Sequence, residues 1–196
     1  MARRIAQLIS IALVAAVAAG CSTAPARYYS LSSTATADGT PATHASVMVG
    51  PVTIPASVDQ PEFVVQIAPN RVEVNEFNRW VSPLGDGVAR AVAGDLVVLL
   101  GTPEVATAQL ANFTPDYRVT IDVQRFESIQ GDAALVEAVW TVRKTAGGET
   151  RSGRTVAREP VQGQGFDALA AAHSRAIAKL SADIAAAIRA EAAQKP

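Results

Sequence analysis

The chain holds a single cysteine, Cys21, so whatever it folds into is built without an internal disulfide. Cys21 also stands at a boundary. Arg3 and Arg4 open the sequence, Ile5 to Ala19 is apolar except for Gln7 and Ser10, and Ala18-Ala19-Gly20 lead directly to the cysteine. A positive start, a short apolar run and small residues before a cut site make a secretory signal peptide over residues 1–20, too short for a comfortable membrane span. Removing it from 196 residues leaves 176, and losing two arginines from 17 basic residues leaves 15 against 18 acidic. That balance argues against a nucleic-acid partner, which needs a basic patch to displace counterions. The full chain is 49% hydrophobic, and what remains after the signal segment is able to form one domain on its core alone.

Placed behind a small-residue cleavage site, Cys21 resembles the lipobox cysteine of bacterial lipoproteins, although Ala18 stands where that motif usually has leucine. The resemblance implies a diacylglycerol on the Cys21 thiol, cleavage before it and acylation of the new amine. Ser22 follows, not the aspartate of an inner-membrane retention signal, which by the same resemblance implies the outer membrane, on its periplasmic face. From residue 21 to 45 Ser, Thr, Ala, Pro and Gly predominate, and the composition predicts a flexible tether reaching ~20–30 Å. Only Tyr28-Tyr29-Ser30-Leu31 interrupts it, as an edge strand or docking segment.

The single domain is expected over residues 46–192. Ser46 to Ile54 predicts a strand in which Pro51, lacking a donor, marks an edge or a bulge. Phe63 to Ile67 and Arg71 to Phe77 predict a hairpin turning at Pro69-Asn70. Leu84, Val88, Ala91, Val92, Leu96 and Leu99 recur at three-and-four spacing, which predicts a helix begun at Pro83, with Ser82 as candidate N-cap, and stopped by Gly101 and Pro103. Tyr117 to Val123 alternates as a half-buried strand whose phase slips at Gln124-Arg125-Phe126, the mark of a bulge or an end. Val136, Ala138, Trp140 and Val142 share one face of the next strand. Gly147-Gly148 then turn into a polar strand over about Glu149 to Glu159. Phe166, Leu169, His173, Ile177, Leu180, Ile184 and Ile188 form the stripe of a last helix. The fold class is α+β: an antiparallel or mixed sheet with two amphipathic helices packed on one face, behind a lipidated tether.

Chemistry is sparse. His44 falls in the tether and His173 on an apolar stripe, so no Cys/His or Ser/His pair emerges. No HExxH, CxxC or EF-hand spacing points to a metal, and Gly85-Asp86-Gly87 lacks the rest of a dinucleotide fingerprint. The expectation is a protein without catalytic residues, cofactor or metal. Two polar surfaces remain as candidate partner contacts: Arg151, Arg154 and Arg158 on the last strand, and Arg118 with Asp122 beside Thr120 on the alternating one.

Four segments, in order, resemble the PqiC-like family of ABC-type transport auxiliary lipoproteins. They are Tyr28-Tyr29-Ser30-Leu31; Val49-Gly50-Pro51-Val52-Thr53-Ile54-Pro55; Arg79-Trp80-Val81-Ser82-Pro83-Leu84; and Arg125-Phe126-Glu127 followed by Gly131 and Leu135 to Trp140. The family's Asp-Arg-Pro-Gln-like turn is replaced here by Val58-Asp59-Gln60-Pro61-Glu62. The resemblance implies the outer-membrane lipoprotein of an intermembrane transport system, whose partner is an MCE-domain protein forming a hydrophobic conduit across the periplasm. It would dock or receive that conduit, with a homo-oligomer as one arrangement. Two other classes stay open: a lipid-binding periplasmic carrier, and a structural or assembly lipoprotein of another envelope machine.

Overall fold

A computed structural model describes residues 25–109, 111–147 and 149–193. The signal segment and Cys21 lie outside the described residues. Strands β1 (Arg27–Tyr29), β2 (Val47–Thr53), β3 (Glu62–Ala68) and β4 (Arg71–Trp80) lead into helix α1 (Leu84–Leu100). The short β5 (Val105–Ala106) follows, then β6 (Tyr117–Ile129), β7 (Ala133–Lys144) and β8 (Thr150–Pro160), and α2 (Gly165–Ala193) closes the fold.

The sheet is mixed and is organised around β6. Along one edge β6 pairs antiparallel with β7, and β7 with β8. Its other edge is forked. β2 runs parallel to the first half, from Val47 opposite Tyr117 to Thr53 opposite Asp122. Near the far end β3 takes over, with Val65 opposite Ser128 and Gln66 opposite Ile129. β4 returns antiparallel to β3, β1 lies parallel on β4, and β5 parallels the start of β2.

Both phase breaks expected from the sequence occur. In β2 the register shifts between Val49 and Val52, where Gly50 has φ 126°, a conformation that favours glycine, and Pro51 has no N–H to offer. In β6 it shifts between Val123 and Arg125, and that extra residue returns Phe126 to the buried face of Val119, Ile121 and Val123.

The two helices cover that face together, α1 along β2 and α2 across β7 and β8. The predicted stripe of α1 is buried throughout. That of α2 is buried from Leu169 to Ile188, with Phe166 half-buried at its start. Beneath them aromatic rings fill the interior: Phe63 stacks on Trp80 at 4.2 Å and Phe126 on His173 at 3.9 Å. One local expectation fails. Pro83, not Ser82, occupies the N-cap position of α1, and the Ser82 hydroxyl instead accepts from the Arg90 guanidinium. Gly101 ends the helix with φ 64°, the left-handed cap glycine adopts most easily.

The stretch expected as a free tether up to residue 45 behaves differently from Arg27 onward. β1 is a sheet strand. Beyond it the chain lies along the helices as a strap, with Leu31 and Ala35 packed on the core. Asp95, in the middle of α1 and fully buried, accepts hydrogen bonds at one carboxylate oxygen from the Ser33 hydroxyl (2.8 Å) and the N–H groups of Thr34 and Ala35 (2.9 Å each). Its other oxygen accepts from the Ser181 hydroxyl of α2 at 2.9 Å. Further on, Thr43 donates to the carbonyl of Leu100 (2.8 Å), and Pro41 accepts from Arg189 (2.6 Å). α1 makes room for the strap with glycine: a Cβ on Gly94 would sit 2.8 Å from that of Ser33, and one on Gly101 2.9 Å from that of Ala42. The packed unit therefore begins at Arg27, well ahead of the expected boundary at residue 46.

Candidate functional site

One face of the sheet is taken by the helices, and alternation sends every second side chain to the other. On that open face, β6 presents Arg118, Thr120 and Asp122, as expected from the sequence. The Thr120 hydroxyl meets that of Thr141 at 2.5 Å across to β7, and Asp122 accepts from the hydroxyl of Thr53 on β2.

The three arginines of β8 do not share a surface. Arg154 lies opposite Val139 and Arg158 opposite Leu135, both on the open face, whereas Arg151 lies opposite the buried Val142 and turns to the helix side. There it pairs with Glu191 of α2, so it ties β8 to the last helix turn. Arg154 pairs with Glu137, and Arg158 with Asp132. Arg125 grips Glu127 through two bonds of 2.8 and 3.0 Å and reaches Glu137 at 3.7 Å, contacts that hold its guanidinium still more firmly protonated. The middle of the open face is thus a neutralised lattice.

At the β6 start it is not neutral. Arg118 and Arg143 are direct cross-strand partners, and neither forms an ion pair among the described residues. Like charges placed directly opposite on a sheet are unfavourable by a few tenths to ~1 kcal/mol. Arg143 went unmarked in the sequence, because only the hairpin register brings it beside Arg118.

Two of the grooves among the described residues border β3 and β4. One, of about 290 Å³, opens at the fork in β6 between Val58, Val64, Val72 and Arg125. The other, of about 400 Å³, runs between Pro61 and the turn Val81-Ser82-Pro83. Between sheet and helices the space is occupied by the aromatic cluster and by buried core side chains.

His173 belongs to that interior. It is wholly buried, its ring lies flat on Phe126, and its Nε2 is 2.8 Å from the Ser128 hydroxyl. Its Nδ1 is buried without a partner. Burial disfavours the imidazolium and lowers the pKa to about 3, so the ring is neutral at physiological pH. Without access to solvent it cannot exchange protons with a substrate. Among the described residues no group of three or more His, Cys, Asp or Glu is arranged to hold a metal, and no helix is long and apolar enough to cross a membrane.

Residues 29–185 match the family model described as "ABC-type transport auxiliary lipoprotein component". No curated protein matches the sequence. Among solved structures, a protein described only as uncharacterized superposes with a TM-score of 0.69 at 20% identity, over 84% of this chain and 99% of that one. A protein from Xanthomonas campestris superposes with a TM-score of 0.68 at 22% identity, over 82% of this chain and 93% of its own. At these identities the likeness speaks for the fold.

Proposed function

The chain belongs to the ABC-type transport auxiliary lipoprotein family, and from that premise we propose that it is the outer-membrane lipoprotein of an MCE-type intermembrane lipid transport system. In this reading it docks the end of a periplasmic conduit, and Cys21 carries its lipid anchor. It works as a non-enzymatic auxiliary component whose partner is an MCE-domain protein.

The observation that carries docking, as opposed to lipid carriage, is the pairing of a filled interior with an unbalanced surface. A carrier needs a dry cavity of acyl-chain size. Here that position is occupied by Phe63, Trp80, Phe126 and His173. The unpaired Arg118 and Arg143 sit together on the open face, where an acidic partner surface would relieve their repulsion. Affinity purification of the full-length lipoprotein from crosslinked envelopes, followed by mass spectrometry, tests the assignment. An MCE-domain protein as main partner supports it. Recovery of outer-membrane assembly components alone would overturn it in favour of another envelope machine. Lipid co-purifying with the soluble domain after removal of Cys21 would favour a carrier.

A further inference from the structure

The N-terminal strand of the described chain lies beside several exposed apolar side chains. β1 runs parallel to β4, Arg27 opposite Asn78 and Tyr29 opposite Trp80. The described chain therefore enters the sheet at Arg27, beside the part of β4 that β1 leaves unpaired, Arg71 to Phe77. On that strand Val72 is 60% exposed, Val74 46% and Phe77 43%, and Tyr28 on β1 is 62% exposed. Isolated exposed apolar residues are ordinary on a protein surface, whereas a contiguous set marks a contact.

The strap changes how far this surface stands from the anchor. Because the chain is packed from Arg27 onward, Arg27 stands six positions after Cys21, and at most ~3.6 Å per residue that link spans no more than about 22 Å. The free tether expected from composition would have let the domain hang away from the bilayer. With so short a link, the edge of β4 beside Arg27 stays near the lipid.

We propose that the open edge of β4, with Tyr28, Val72, Val74 and Phe77, rests on the bilayer that holds the Cys21 lipid; this inference rests on the anchor in the reading above. Apolar contact drives the attachment. Arg27 and Arg71 border the patch, but Glu73 and Glu76 on the same strand offset them, so anionic lipid is not required. The arrangement gives the domain a polarity. β6 extends from Ile129, beside the hairpin, to Arg118, a separation of about 36 Å at ~3.3 Å per residue. The Arg118–Arg143 pair is thereby held at the end remote from the membrane.

The test uses the full lipoprotein in vesicles of phosphatidylethanolamine and phosphatidylglycerol carrying a nitroxide near the headgroup. In the lipidated protein the Cys21 sulfur is a thioether, so a single introduced cysteine is the reactive thiol. Val74→Cys and Arg143→Cys, each labelled with an environment-sensitive fluorophore, report on the two ends. The expected result is a blue shift and nitroxide quenching at position 74, with neither at 143. An acylated, vesicle-bound protein whose position 74 stays unquenched overturns the proposal alone. A blue shift at 74 that persists without vesicles overturns it in favour of a second copy of the chain on this edge. An N-terminus shown by mass to carry no acyl group overturns the anchor and the proposal together.

Discussion

The buried carboxylate of Asp95 accepts the backbone N–H of Thr34 at 2.9 Å, and through that contact the N-terminal strap is fastened to the first helix. The same carboxylate takes the N–H of Ala35, the Ser33 hydroxyl and, from the second helix, the Ser181 hydroxyl. One side chain thus joins strap, α1 and α2. Replacing it with alanine leaves buried donors unmatched, at a cost of about 3 kcal/mol. Asp95→Ala is expected to lower the unfolding free energy from urea titration by that amount and to speed amide exchange at residues 34 and 35. Asp95→Asn, which keeps one acceptor oxygen, should lose less. Unchanged exchange in the alanine variant would mean the strap is held by other contacts.

A second prediction concerns β8. Trp140 lies over Gly153, its cross-strand partner, and a Cβ there would stand 2.2 Å from the ring. The indole N–H meanwhile donates to the Thr155 hydroxyl at 3.1 Å, which pins the ring in place. Gly153→Ala should therefore expel the indole and destabilise the domain by about 2 kcal/mol or more, as overpacked cores do. The check is denaturant unfolding together with near-ultraviolet circular dichroism. A variant with native stability and an unaltered Trp signal would show that the strand yields instead of the ring.

The buried imidazole of His173 makes stability depend on pH. Its folded pKa, about 3, lies below the ordinary value of 6.5, so between these values the unfolded chain binds the extra proton. The stabilisation is complete above pH 6.5 and is lost progressively as pH falls toward 3. At pH 5 the loss is about 2 kcal/mol, at 1.36 kcal/mol per pKa unit. Urea midpoints at pH 7 and pH 5 should separate for the native sequence. For His173→Phe, which keeps the stack on Phe126 but cannot be protonated, they should converge.

The periodic parts of this fold were open to sequence reading because burial writes itself into spacing. Val119, Ile121 and Val123 repeat at two, and the α1 and α2 stripes repeat at three and four. The break at Gln124 marked the β6 bulge, and Pro51 the irregularity in β2. The strap was not legible for an equally physical reason. Residues 33–35 are held largely through backbone N–H groups, which every residue but proline possesses, and the acceptor that selects them lies some sixty positions away. Residue type alone puts the β8 arginines together, whereas parity decides: Arg151 stands an odd number of residues from Arg154 and so faces the helices. Arg143 as a neighbour of Arg118 depends on the β6–β7 register, which no local pattern specifies.

That last pair supplies the prediction that separates function from fold. If Arg118 and Arg143 are opposed for structural reasons alone, replacing one by an acid should improve the sheet and change nothing else. Arg143→Glu sets a carboxylate directly opposite Arg118, converting repulsion into a cross-strand ion pair. On the outer face of a sheet such a change raises stability by about 0.5 kcal/mol. If instead the two guanidinium groups meet an acidic surface of the transport partner, the same variant should be slightly more stable yet recover much less of that partner from crosslinked envelopes. Arg118→Glu, made separately, should do likewise. The double exchange sets two carboxylates opposite each other, so it loses the stability gain, and it should fail at least as badly, because net charge, not pairing, is what the partner would read. Stability gained with capture undiminished would assign the two arginines no part in docking and would move the search to the groove between Pro61 and Val81.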